Sequence, residues 1–143
     1  MKIAFIFHLL AMLFMLAGGF LYLLRTEFMP YHAIAVGKSW EQIEPSFQIL
    51  LLAFIRLAGG ATIASVLAMG IIHFIPFRQQ NRWAQWAVPV IGIITCLTAL
   101  YPTITVTLNT PANPPWFAII INMVLFITGL IISLEPKEKH IPV

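Results

Sequence analysis

Arg56 is the first residue whose type and place suggest chemistry. It lies inside an apolar run from Phe47 to Ile75. A charge at the centre of a hydrocarbon span costs about 2.5–3.5 kcal/mol, so such residues usually face a cavity, a partner or an interface. Its depth depends on the end from which it is counted. Counted from Phe47 it lies about 13 Å down, near the middle. Counted from Pro76, Leu57–Ile75 already covers about 28 Å, and Arg56 reaches the outer boundary. Helical side chains lean toward the helix N-terminus, which favours the second count. Two readings follow. One is an arginine that snorkels to headgroups. The other is an arginine that faces a cavity open to the outer leaflet.

Several polar residues are expected near that level. Tyr101 should reach it, and Asn122 should sit about 9 Å below Trp116. His32, Trp40 and Glu44 lie in the polar stretch above, with Arg25, Glu27 and Tyr31. A polar rim over an apolar floor suits an amphiphile such as a lipid, an isoprenoid or a quinone. The candidate ligand-binding set is therefore Arg56, Tyr101, Asn122, His32, Trp40 and Glu44. The apolar runs hold no carboxylate. Arg56 must then be answered by Glu27 or Glu44, by backbone carbonyls, or by a ligand anion. His32 with Glu41 or Glu44 has the types for acid–base work. Their spacing is not diagnostic, and a polar loop at the interface is the simpler reading.

His8 and His73 form a second constellation. Antiparallel spans would bring them to similar depth on the inner side. Facing histidines are how a bundle holds b-type haem or a metal. The simpler reading is that each imidazole finds a carbonyl or the interface. The chain has no Cys-x-x-Cys, His-Glu-x-x-His, P-loop or nucleophile elbow, which argues against a soluble-type hydrolase or NTPase. No metal site beyond the histidine pair and no cofactor is expected. The single Cys96 can form no intrachain disulfide and reads as a small core residue.

The elements that must position these residues are membrane spans. The chain has 143 residues, enough for one domain. It is 60% hydrophobic and only 9% charged, with no Asp. That charge is too little to cover the surface of a small soluble domain. The net charge of +3 is scattered over loops, so it forms no nucleic-acid stripe. A spanning helix needs about 20 apolar residues, and four runs qualify: about 3–24, 47–75, 83–101 and 116–134. The first is longer than a signal-peptide core and is expected to stay as a helix. The fold class is an all-α integral membrane protein, a four-transmembrane-helix bundle forming a single domain over 1–143.

Orientation follows from lysine and arginine in the short loops. One side carries Lys2, Arg78, Arg82, Lys137 and Lys139. The other carries Arg25 and Lys38, with Arg56 at its edge. The first side is read as cytoplasmic, with both termini inside. The outer loops are then 25–46 and 102–115. Ser39 and Gln42 have capping-box spacing and predict a short surface helix over Trp40–Glu44, with Pro45 at the first turn of the next span. Thr103–Leu108 alternates with period two, but an open strand edge cannot face lipid. A helix continuing past Pro102 is preferred to an extended segment. Three prolines between Pro111 and Pro115 predict a stiff connection.

Gly60, Ala64 and Ala68 recur every four residues on one face, beside Ala61 and Ser65. Such a stripe permits close helix approach. Packing within the chain is the preferred reading, and a dimer seam the alternative.

The string Phe54-Ile55-Arg56-Leu57-Ala58-Gly59-Gly60, with four short spans, resembles the DoxX-like group and related small bacterial membrane proteins. The resemblance implies a bacterial inner-membrane setting and a loose link to respiratory and redox complexes. The functional expectation is binding of a lipid-like or quinone-like amphiphile at an outer-leaflet vestibule, among membrane lipids. The alternatives are an accessory subunit of a larger membrane complex or a homo-oligomer, and an intramembrane enzyme or haem carrier using His8 and His73.

Overall fold

The computed structural model describes residues 2–134. The expected loop charges Lys137 and Lys139 lie outside the described residues. Five α-helices form: α1 (Lys2–Leu23), α2 (Pro30–Val36), α3 (Pro45–Ile72), α4 (Arg82–Asn109) and α5 (Trp116–Leu134). A π turn, His73–Phe77, continues α3. There is no strand among the described residues. Four helices are long and apolar enough to cross a membrane: α1, α3 with its π turn, α4 and α5. The architecture is thus that of a multi-pass membrane protein.

The four long helices close a ring. α1 packs on α3 and α5, α5 packs on α4, and α4 packs on α3. Each helix buries one narrow stripe at steps of three and four residues, the spacing of a single helical face. On α1 the stripe includes Ala4, His8, Ala11, Met15 and Gly19. On α4 it is Ala84, Val88, Gly92 and Cys96, and on α5 Asn122, Phe126, Gly129 and Ser133. The starts of α1 and α4 and the ends of α3 and α5 share one end of the bundle, called here the Lys2 end. The other end carries α2 and a single 3-10 turn, Trp40–Gln42, and is called the cap end.

Lipid is as apolar as leucine, so the helices are held by close contact and dispersion, not by water exclusion. The tightest crossing is between α1 and α3. A methyl group on Gly59 would lie 2.5 Å from the Leu23 nitrogen and 2.6 Å from the Gly19 oxygen. Those are backbone atoms, which cannot move aside cheaply. This corrects the expectation for the small-residue stripe. Ala64 and Ala68 are exposed, and nothing lies within 4 Å of a methyl placed on Gly60. The packing face of α3 is one residue earlier: Ile55, Gly59, Val66 and Met69, continued by His73 and Phe77.

The prolines are absorbed in different ways. Pro45 opens α3 at its first turn, as expected. Pro76 cannot donate to the Ile72 carbonyl, and the helix widens there into the π turn. Pro89 orphans the Gln85 carbonyl. The Ser133 hydroxyl of α5, 2.8 Å from Leu130 O, also comes within 3.5 Å of it. Pro102 lies inside α4, which runs on to Asn109. The connection before α5 is therefore 110–115, shorter than 102–115. The threonine run stays helical because its hydroxyls bond inward. Thr103, Thr105 and Thr107 donate to Ala99, Tyr101 and Thr103 carbonyls at 2.7–2.9 Å. The hydroxyls are thereby satisfied without water.

The adjacent glycines of α3 make a sharp comparison. Gly59→Ala should lower the melting temperature in detergent, at a cost of about 1–3 kcal/mol for overpacking. Gly60→Ala should melt no lower than the unaltered chain. Equal melting of the two variants would contradict the assigned packing face.

Candidate functional site

The cap end gathers most of the polar residues that the sequence singles out. Arg56 donates from Nε and Nη2 to the Arg25 carbonyl oxygen at 3.3 and 3.1 Å. That carbonyl lies just past the end of α1, so the guanidinium reaches the edge of the bundle. Of the partners open to Arg56, a backbone carbonyl is the one it takes. The Arg25 side chain turns instead to the Met29 sulfur, with Nη2 at 2.9 Å and Nε at 3.2 Å. Phe28 and Met29 are buried beneath the cap. Trp40 meets Phe28 edge-on at 5.0 Å between ring centroids.

His32 is fixed within this cap. Its Nδ1 accepts the Met29 backbone N–H at 3.2 Å, closing the first turn of α2. Tyr31 packs edge-on against it, and the Tyr31 and Tyr22 hydroxyls are hydrogen-bonded. Burial, then the nearby Arg25 charge, push the His32 pKa below its usual value. Helix α2 ends at Gly37, whose φ of 69° needs a residue without Cβ strain. The predicted Trp40–Glu44 helix is the shorter 3-10 turn, and Gln42 Oε1 accepts the Ser39 N–H at 2.9 Å. Glu44 accepts from the Ser46 hydroxyl at 2.9 Å and stays exposed.

The remaining members of the expected set are elsewhere. Tyr101 is 77% exposed on α4. Asn122 is buried in the core, where its Nδ2 lies 3.5 Å from the Cys96 sulfur. Arg56, Tyr101 and Asn122 therefore do not line one cavity. Arg56, His32, Trp40 and Glu44 belong to the cap.

The core near the Lys2 end holds the second constellation. His8 on α1 and His73 in the π turn are both fully buried. Their ring centroids are 5.8 Å apart, edge to face. Phe5 stacks on His73 at 4.0 Å, and Phe77 meets both imidazoles. A glycine makes the socket for His8: a Cβ on Gly129 would collide with its Cδ2–Nε2 edge. Gly92 makes the equivalent socket for Phe126. The Phe126 carbonyl lies beside His8 and the Phe5 carbonyl beside His73, yet neither closes a hydrogen bond of ordinary geometry. All four ring nitrogens are buried without a hydrogen-bond partner, as is Asn122 Oδ1.

Haem does not fit this pair. A porphyrin plane would extend well past both rings, into the space that Phe5, Phe77 and Phe126 occupy around them. Among the described residues no group of three or more His, Cys, Asp or Glu could hold a metal ion.

A third feature was not legible in the sequence. An apolar groove of about 470 Å³ runs along the lipid-facing side of α1 and α3. Leu9, Leu13, Leu16, Leu67, Gly70 and Phe74 line it, and it extends to Ile75. Its width at Gly70 follows from the missing side chain, since nothing stands within 4 Å of that position. Only the pairing of two helices creates the groove, so no single stretch of sequence announces it.

No protein-family model, no curated protein and no solved structure matches the chain.

The cap should respond to acid. The His32 pKa is depressed in the docked cap, against about 6.5 in a released chain. Above that value neither form binds a proton there. As pH falls through it, the released cap binds a proton that the docked cap resists, so docking weakens. Hydrogen-exchange protection factors across residues 28–42, corrected for the intrinsic rate at each pH, should therefore be lower at pH 5 than at pH 7.5, and His32→Gln should flatten the difference. Equal protection at both pH values in the unaltered chain would count against this.

Proposed function

We propose that the chain is a multi-pass protein of the bacterial inner membrane that binds a lipid-like amphiphile with an anionic head. The observation that carries this reading is the groove between α1 and α3 and the charge at its end. Ile75 lines the groove, and exposed Arg78 follows three residues later. Lys2 precedes Leu9 by about 10 Å along α1, and exposed Arg82 opens α4 at the same end. A hydrocarbon chain in the groove would thus bring its head toward Lys2, Arg78 and Arg82.

The seat of the amphiphile moves accordingly from the outer vestibule to the inner leaflet. Arg56 is engaged by the Arg25 carbonyl, and Tyr101 and Asn122 stand apart from it. The Lys2 end is taken as cytoplasmic. Lys2, Arg78 and Arg82 at that end balance Arg25, Lys38 and Arg56 at the cap end, and Lys137 and Lys139, which follow α5 in the sequence, tip the count. The bacterial inner membrane is what the DoxX-like resemblance implies.

One observation favours a second reading, association with another transmembrane helix. The stripe of Gly60, Ala61, Ala64 and Ala68 faces outward with open space above Gly60. Small residues on a lipid-facing surface leave room for a neighbouring backbone.

Native mass spectrometry of protein released from mixed-lipid nanodiscs separates the two readings. The unaltered chain should retain anionic phospholipid in preference to zwitterionic. Gly70→Phe, whose Cβ meets nothing within 4 Å and whose ring enters the groove, should abolish retention. Arg78→Gln should reduce the anionic preference by about 1 kcal/mol, roughly fivefold. Retention unchanged in Gly70→Phe would sink the groove reading. An oligomer that Gly60→Leu converts to monomer would establish the second.

A further inference from the structure

We propose that His8 and His73, with the thioethers of Met12 and Met69, form a buried site for one soft monovalent cation, Cu(I) in chemical class. The starting point is an unmet demand. A neutral imidazole carries one N–H donor and one lone-pair acceptor. The carbonyls beside the two rings, Phe126 for His8 and Phe5 for His73, give each N–H a direction. Metal-binding histidines are commonly oriented in this way by a carbonyl behind the ring. What remains is one lone pair per ring, and no donor in the core reaches either of them. On His8 the Cδ2–Nε2 edge sits in the Gly129 socket, which leaves Nδ1 as the donor atom.

The separation suits a shared ion. Two imidazoles bound to one ion at about 2.0 Å put their ring centroids no more than about 6.4 Å apart. The observed value is 5.8 Å. Further ligands come from helical spacing. Met12 follows His8 by one turn on α1, and Met69 precedes His73 by one turn on the antiparallel α3. Residues four apart share a helix face. On that spacing Met12 and Met69 stand one turn from the histidines on the same helix faces, and both methionines are buried in one cluster.

The chemistry of the ligands selects the ion. Imidazole and thioether are soft or borderline donors, suited to Cu(I) and poor for Mg²⁺ or Ca²⁺. No carboxylate or thiolate stands beside the pair to offset charge. Burying a second positive charge there would cost far more than burying the first, which disfavours Zn²⁺. Met12 also lines the groove proposed above, but His8, His73 and Met69 do not, so failure of this site would leave that reading standing.

The test is titration of the reduced, detergent-purified full chain with Cu(I) against a chromophoric Cu(I) chelator, with Ag(I) as a redox-inert check. One equivalent should bind. His73→Phe keeps an aromatic ring in the core, so it should stay folded, as its melting temperature will report. It should lose on the order of 100-fold or more in affinity, the upper end of what outer-shell changes already cause. Met69→Leu should lose about tenfold, and His32→Gln nothing. The proposal is overturned if the folded chain binds no Cu(I), if His73→Phe binds as the unaltered chain does, or if Zn²⁺ binds as tightly as Cu(I).

Discussion

Inside a bilayer no water stands ready to answer a polar group, so the chain must answer each one itself. Most of this structure can be read as the working out of that constraint. The threonines of α4 turn their hydroxyls onto the carbonyls of the preceding turn. Ser133 sits where Pro89 has orphaned a carbonyl. Arg56 stretches to the edge of the bundle and takes the Arg25 carbonyl. Against that background the two histidines and the Asn122 amide oxygen are the exceptions among the described residues. Both imidazoles are fully buried, each with a carbonyl beside it but no ring nitrogen in a hydrogen bond of ordinary geometry. Leaving a buried polar group unpaired costs about 1–3 kcal/mol. A fold that satisfies its polar groups so consistently elsewhere, and shapes Gly129 to hold one of these rings, points to a partner that comes from outside the chain.

Much of the architecture was legible in the sequence. Run length and the scarcity of charge define four spans, because a helix must cover a fixed hydrocarbon thickness. Pro45 at a helix start followed from simple geometry. The inward pairing of His8 and His73 followed from antiparallel connectivity, since adjacent spans joined by a short loop bring residues near their shared ends to one level. α2 did not stand out, because Pro30–Val36 is a short mixed stretch with no strong period.

The inward face of α3 was misread, and the reason is physical. In a soluble helix the polar side marks solvent, and the apolar side must be core. In a membrane helix both sides are apolar, so hydropathy cannot say which one packs. Gly59 and Gly60 are neighbours of identical type, yet one touches the α1 backbone and the other faces open space. The distinction rests on the phase of one helix against another, which a single sequence does not encode locally. The same limit hid the groove at Gly70, since it belongs to two helices together. Conversely, Arg56, Tyr101 and Asn122 looked like companions because depth can be counted along a chain. Facing cannot, and the structure turns them in three directions: to the cap, to the membrane and to the core.

The histidine pair lies in a sealed core with one lone pair per ring left without a donor. Water access is the most direct measure of it. In a Cys96→Ala background placed in nanodiscs, His73→Cys can be challenged with a small charged thiol reagent, and Glu41→Cys on the exposed cap serves as the reference. The account predicts that His73→Cys stays unlabelled while Glu41→Cys reacts fully. Labelling of both at similar rates would mean that water reaches the pair and answers its nitrogens, and the account would be wrong.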